Sequence, residues 1–500
     1  MLVNKLAYPR QYLRLTNLSK MHSEYANQNI YIESLGGAGT VTGSKHLLRT
    51  PEGNILIDCG LFQGLKALRE KNWEPLPFNP AEINAVILTH AHLDHCGYLP
   101  ILFKDGYRGP VYMTETTKDL TILILKDSAR IQEEDAFHAN KHHYSKHKPA
   151  KPLYTTEDVE ACIPYFKTVG TGVSHRLSAN ISFRYFPAGH IPGASSAEVT
   201  CFGKTIFFSG DIGRYHAGLL ADPQHVSTAD FVVMEATYGD RTHPAGDASE
   251  ALAYMINDTV FKKGNILIPC FAVGRAQEVI HMLYKLKQQK AIPAELPIYL
   301  DSPMAAAAGK VVLNHSEELK ITKEECRAMF NGIQINEDYR GTEKIIDTKG
   351  SKIILAGSGM LTGGRALAYL EHYIGNSRNT ILLIGFQAEG TRGRSLLNGA
   401  KELKFHGKFY SVEARVEEIR GMSAHADQKE LRYWINGFVP RPERVYLVHG
   451  EPCSLETLRV KIKDETGTPV KILQEDHKEF LFAISEEPAA AVVHEQHHNK

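Results

Sequence analysis

The chain of 500 residues has few cysteines, no long apolar run and no excess of charge of either sign, and each shortage closes off a class of protein. Its seven cysteines (59, 96, 162, 201, 270, 326 and 453) form no CxxC pair and leave an odd count. A disulfide framework is therefore not expected, and a reducing, cytoplasmic setting is. The longest apolar runs, such as ILIPCFAV, fall far below the roughly 18 residues that span a bilayer, so no membrane partner is expected. The N-terminus lacks the apolar stretch of a signal peptide. Residues 1–27 read as a flexible segment, with Met21 as an alternative start, and 486–500 read as a disordered tail. Lys and Arg number 57 and Asp and Glu number 57, for a net charge of zero. A nucleic-acid partner would then need a local basic groove, because long-range attraction is absent.

What is present is an alternation of short elements, and the length predicts two or more domains. Over residues 28–240 short apolar segments dominate, among them IYIESLG, KHLLRT, NILIDCG, AVILTH, ISFRYFPA, KTIFFSG and DFVVMEA. Gly, Asn, Asp or Pro bounds each, which predicts strands. One helix is predicted among them, from KDLTILILKDSARIQEEDAFHANKHHYSKH. Over 241–420 strands alternate with helices, which predicts a mostly parallel α/β sheet. GRAQEVIHMLYKLKQQ, for example, places Val279, Met282, Leu283 and Leu286 on one helical face. Over 421–485 strands return in RVYLVHG and EFLFAI.

The densest chemistry lies in THAHLDHCGYLP, directly after AVIL. Imidazole and carboxylate are the usual ligands of zinc and related metals. Residues i and i+2 of an extended segment point the same way, so His90 and His92 can share one metal. The turn that follows presents Asp94 and His95 to a different point. Further ligands are expected at other strand ends: His190 in FPAGHIPGAS, Asp211 in FFSGDIGR and His449 in VYLVHGE. The Asp211 carboxylate can bridge two metals, and together these residues supply two complete shells. Asp58, in LIDCG, is expected behind the ligands, accepting an imidazole N–H and fixing its tautomer.

Asp58, HAHLDH, His190, Asp211 and a late histidine, in this order, resemble the motif series of the metallo-β-lactamase superfamily. Three more segments narrow the resemblance. MEATYGDR places Glu235 after a strand end, GMSAHADQ places His425, and LVHGE follows 24 residues later. The sequence is similar to the β-CASP group, whose extra α/β domain is inserted ahead of the last two motifs. FAVGRAQEV, LDSPMA, SGMLTGGRA and FQAEGTRGR are similar to blocks of that inserted domain. The fold implied is a metallo-β-lactamase αββα sandwich with an inserted α/β β-CASP domain.

This resemblance also implies a function. The expected activity is a metal-dependent ribonuclease acting on single-stranded RNA. Histidine at position 449 is the residue of the RNA-processing branch, where DNA cross-link repair nucleases typically carry valine. One metal is assigned to His90, His92 and His190, a second to Asp94, His95 and His449, with Asp211 between them. Zinc is the default; manganese and iron suit the same ligands. His425 is expected to protonate the leaving 3′-oxygen, with Glu235 orienting it and Asp94 beside them in the catalytic set. Substrate contacts are expected from Arg275, Ser423, the glycines Gly359, Gly363 and Gly364 of GSGMLTGGRA, and Arg365. Alternatives are tight packing for the glycines, an acid partner for Arg275 and a capping role for Ser423. The histidine-rich FHANKHHYSKHKPAK has no acid or cysteine to close a metal shell and reads as a solvated basic helix end. Competing functions are a DNA nuclease, a small-molecule phosphodiesterase and a non-catalytic RNA-processing scaffold. A homodimer is compatible with the sequence.

Overall fold

The computed structural model describes residues 29–143, 145–244, 248–385, 387–419 and 421–484. The expected flexible ends, 1–27 and 486–500, lie outside them. No helix among the described residues is long and apolar enough to cross a membrane.

Alternating apolar residues build two seven-stranded sheets. In the strand Asn29–Gly36, Ile30 and Ile32 face inward while Asn29 and Tyr31 are less covered. The first sheet runs Lys478–Ala483, Asn29–Gly36, Lys45–Thr50, Gly53–Ile57, Ile83–Ile87, Val111–Met113, Phe166–Thr168. The second runs Val470–Ile472, Arg444–Val448, Phe231–Glu235, Lys204–Phe208, Ser195–Cys201, Ile181–Pro187, His175–Arg176. Between them Ile32, Leu48, Ile57, Ile87, Phe183, Val199, Phe208 and Val233 form one core. Helices cover the outer faces. Glu115–Lys141 packs against the first sheet through Leu120 and Leu125. Gln428–Asn436 and Pro452–Thr466 pack against the second through Trp434, Leu455 and Leu458. The layers are thus αββα, as expected.

A third, six-stranded sheet lies in the segment 241–420, and every strand pair in it is parallel. Helices flank it on both faces, which is why its strands read as continuous apolar runs such as Ile353–Ala356. The helix Arg275–Gln288 buries Val279, Leu283 and Leu286 as its periodicity predicts, with Met282 at the margin. The topology marks this unit as an insertion. The chain leaves the second sheet after Phe231–Glu235 and returns to the adjacent strand, Arg444–Val448, pairing Glu235 with Val448 in parallel register. Short polar strands such as Phe166–Thr168 and Gln334–Asn336 have no legible alternation, and the sequence gives no sign of them.

Candidate metal centre and catalytic pair

The loops that follow six strands of the sandwich converge on one edge. Asp58 follows Gly53–Ile57, His90 follows Ile83–Ile87 and His190 follows Ile181–Pro187. Asp211 follows Lys204–Phe208, Glu235 ends Phe231–Glu235 and His449 follows Arg444–Val448. HAHLDH turns from extended chain at His92 into the single helical turn Leu93–Cys96, so alternate residues point to two places. The turn is held from behind: Ser44 N–H donates to the Asp94 carbonyl (2.8 Å) and Cys59 N–H to that of His95 (2.6 Å). Gly60 is required there, since a Cβ would lie 1.6 Å from the Asp94 carbonyl oxygen.

Two donor groups lie side by side, His90, His92, His190 and Asp211 in one and Asp94, His95 and His449 in the other, and a third, Asp211, Glu235 and His449, overlaps both. The Asp211 carboxylate stands between the first two. Its Oδ2 lies 3.4 Å from His90 Nε2 and 3.5 Å from His190 Nε2. Its Oδ1 lies 3.3 Å from His95 Nε2 and 3.4 Å from His449 Nδ1. His92 Nδ1 is 3.1 Å from Nε2 of both His90 and His190. His449 Nε2 is 3.2 Å from His95 Nε2 and 3.5 Å from Asp94 Oδ2.

Hydrogen bonds behind the rings decide which nitrogen faces the centre. His95 Nδ1–H donates to Asp58 Oδ2 at 2.7 Å, leaving Nε2 inward. Thr89 gives its hydroxyl proton to Asp58, so it accepts from His90 Nδ1 at 3.1 Å. Thr237 Oγ1 lies 3.2 Å from His449 Nδ1, the nitrogen that also approaches Asp211 Oδ1, and donates to the His449 carbonyl at 3.2 Å. Burial holds His90 and His190 well below the usual imidazole range and His92 down at about 4, so these rings are neutral and ligand-competent. Burial opposes charge on His95 too, but the Asp211 and Asp58 carboxylates together outweigh it and push it up.

These donors fit a divalent metal. Asp211 Oδ1 is a buried carboxylate oxygen that accepts no hydrogen bond. Three ring nitrogens, of His90, His92 and His190, converge at 3.1 Å with an Asp211 oxygen beside them, the donor chemistry of a metal site. The separations of 3.1–3.5 Å suit the edges of a zinc tetrahedron, about 3.3 Å for bonds of about 2.0–2.1 Å.

Beside this centre sits a second constellation. Glu235 is fully buried and accepts from Ile212 N–H (2.6 Å), Thr237 N–H (3.2 Å) and His425 Nδ1 (3.1 Å to each oxygen). His425 Nε2 points to the centre, 3.9 Å from Asp211 Oδ2. Burial lowers the affinity of His425 for its proton, but Glu235 and Asp211 outweigh it, leaving the pKa at about 8. Both groups open into a cleft of about 390 Å³ between the sandwich and the inserted unit.

The expected substrate contacts divide. Ser423 and Arg275 line the cleft; Ser423 Oγ also caps His425 N–H at 3.3 Å, and Arg275 pairs with Glu278. Gly359, Gly363 and Gly364 do not line it, although their neighbours Ser358, Met360 and Thr362 do. Gly359 and Gly364 serve close packing: a Cβ would come within 2.9 Å of Phe271 and 2.7 Å of the Gly357 carbonyl, respectively. Gly363 faces open space. Arg365 does not line the cleft either. Its guanidinium is bound to buried Asp301 and to the carbonyls of Asn336 (3.1 Å) and Glu337 (2.7 Å), at the strand ends of the inserted sheet. Arg365→Ala is expected to cost about 3 kcal/mol in thermal or urea unfolding, by stripping a partner from a buried carboxylate, without changing metal content. His138 and His142 stack at 6.2 Å, and no metal-ligand group among the described residues includes them. Sequence reasoning missed Thr89, Thr237 and also His46, which lies under the centre, bonded to Ser34 Oγ (2.8 Å) and pushed down to about 3 by burial. Single threonines and a lone histidine carry no spacing signal.

Fold and site together define a metallo-hydrolase of the metallo-β-lactamase type. The model of the metallo-beta-lactamase superfamily matches residues 39–262, that of the Beta-Casp domain 276–396, and that of the Zn-dependent metallo-hydrolase RNA specificity domain 410–473. Ribonuclease TTHA0252 of Thermus thermophilus is 36% identical over 85% of this chain and 94% of its own. The transcription termination factor FttA of Methanocaldococcus jannaschii is 32% identical over 89% of this chain and 71% of its own. A crystal structure of a protein of unknown function from Enterococcus faecalis shares the fold, with a TM-score of 0.51 and 14% identity over 91% of this chain and 100% of that one. The chain belongs to the β-CASP group of the metallo-β-lactamase superfamily.

Proposed function

We propose that the chain is a cytoplasmic ribonuclease that hydrolyses phosphodiester bonds of single-stranded RNA and depends on two divalent ions. The observation that carries this reading is the Asp211 carboxylate, with one oxygen turned to each donor group. His90, His92 and His190 would hold one ion, Asp94, His95 and His449 the other, and Asp211 both. Zinc is the default for this donor set, with manganese or iron as substitutes. When bound, such a pair activates a water and neutralises charge on a phosphate undergoing in-line displacement.

The remaining work falls to the chain. Asp58 and Thr89 hold His95 and His90 by Nδ1, which turns each Nε2 inward, and Thr237 steadies His449. His425 presents Nε2 to the cleft and gives a proton to the leaving 3′-oxygen, while Glu235 grips Nδ1 and keeps the ring turned that way. Ser423, on the wall of the cleft, meets a backbone phosphate, while Arg275 is held by Glu278. The inserted unit roofs the centre and leaves a passage suited to a single strand.

RNA rather than DNA is supported by His449, by the match to an RNA specificity domain, and by relatives named as a ribonuclease and a transcription termination factor. Matched RNA and DNA oligonucleotides, end-labelled and carrying a 5′-phosphate or 5′-hydroxyl, test it. RNA should be cut at least about fivefold faster, the worth of one net hydrogen bond to a 2′-OH. Equal or faster cleavage of DNA would overturn the reading.

A further inference from the structure

We infer that the cleft beside the metal centre is a nucleobase subsite, in which a base next to the scissile phosphate stacks on Phe271. This rests on the RNA reading above and adds to it what the cleft holds. The walls away from the metal centre are largely apolar: Phe271 and Met304 from the inserted unit face a cleft that also takes Ile124 and Ile131 from the helix Glu115–Lys141. The charged groups there do not suit a phosphate. Asp127 carries the wrong sign, and Arg275 is already paired with Glu278. A volume of about 390 Å³ is that of a small-molecule site, and it is continuous with His92, Asp94, His190 and His425. A flat, weakly polar group tethered to a phosphate at the centre is what this space accepts, and a nucleobase is such a group.

Phe271 is built to receive it. The side chain stays 37% exposed in the cleft, and its ring centroid lies 6.5 Å from that of His92. Its backbone is fixed by Ala276 N–H, which donates to the Phe271 carbonyl at 3.1 Å. Gly359 braces the ring from behind: a Cβ there would come within 2.9 Å of Cδ2, so only glycine lets the ring lie where it does. Every base has a π-face, so such a platform favours a base over none without reading its identity.

The experiment compares an RNA of defined cleavage site with versions bearing one abasic ribonucleotide at each flanking position. Wild-type enzyme should lose about 5- to 100-fold in kcat/KM at one flanking position, chiefly through KM. Phe271→Leu should show that loss on the intact RNA and no further loss on the abasic one, and Phe271→Trp should restore the wild-type pattern. In metal-free wild-type protein, 2-aminopurine at the same position should be quenched on binding, a readout independent of turnover and of whether the variants fold. Indifference of the wild type to abasic substitution at every position, or absence of quenching, would overturn the subsite while leaving the ribonuclease reading intact. A metal-loaded wild type that cleaves no RNA would instead remove the reading on which the subsite rests.

Discussion

Asp211→Ala is expected to strip both ions from the protein at once and to abolish hydrolysis. The expectation follows from the split of a single carboxylate. Oδ2 lies within 3.5 Å of His90 and His190, and Oδ1 within 3.4 Å of His95 and His449. With protein groups alone, this carboxyl is held well below the usual range, because the surrounding imidazoles outweigh its burial. Removing it leaves buried rings facing one another with no negative charge between the two groups. The loss in kcat should exceed the roughly 10²–10³-fold typical of deleting one electrostatic stabiliser. Metal per chain, measured by mass spectrometry on the purified variant, should fall for both sites together. His92→Ala touches one group only, so it should lower metal content by at most one ion. A variant at Asp211 that keeps its full metal complement and wild-type rate would refute the bridging role, and circular dichroism separates loss of metal from loss of fold.

The sandwich and the candidate metal centre were legible for the same reason. Strands that feed a site end in it, so His90, His190, Asp211 and His449 each stood directly after an apolar segment with clear boundaries. The packing of His90, His92, Asp94 and His95 into one stretch made the turn readable as a two-way ligand source. The inserted unit was legible as a class, because helices and apolar strands alternate, and as an insertion only through the resemblance. What the sequence could not show was which distant residues some side chains meet. Arg365 opens a helix after a glycine-rich turn, as a phosphate-binding arginine would. Its partner Asp301 lies 64 residues away and claims the guanidinium. Gly359 likewise has a local pattern of phosphate binding, yet the residue it must clear is Phe271, on a different loop. Thr89 and Thr237 act through one hydroxyl each, a contribution that only tertiary geometry reveals.

His425→Ala should leave both ions in place and lower turnover on RNA by about 10²–10⁴-fold, the range for losing a positioned general acid. The side chain is near the donor groups without belonging to the groups that could hold an ion: its Nε2 stands 3.9 Å from Asp211, and Glu235 takes its Nδ1. A proton is needed only where the leaving oxygen is poor. On bis(p-nitrophenyl) phosphate, whose leaving phenolate is stable unprotonated, the same variant should therefore remain close to wild type. Glu235 acts through His425, so Glu235→Gln should slow RNA cleavage by a smaller factor. The double variant should fall little below His425→Ala, since residues in one network are not additive. An equal loss on both substrates would mean that His425 serves the centre or the fold, and additive losses would detach Glu235 from it. Metal analysis of each variant closes the argument, because only a fully loaded, slow enzyme with a leaving-group-dependent defect identifies the proton donor.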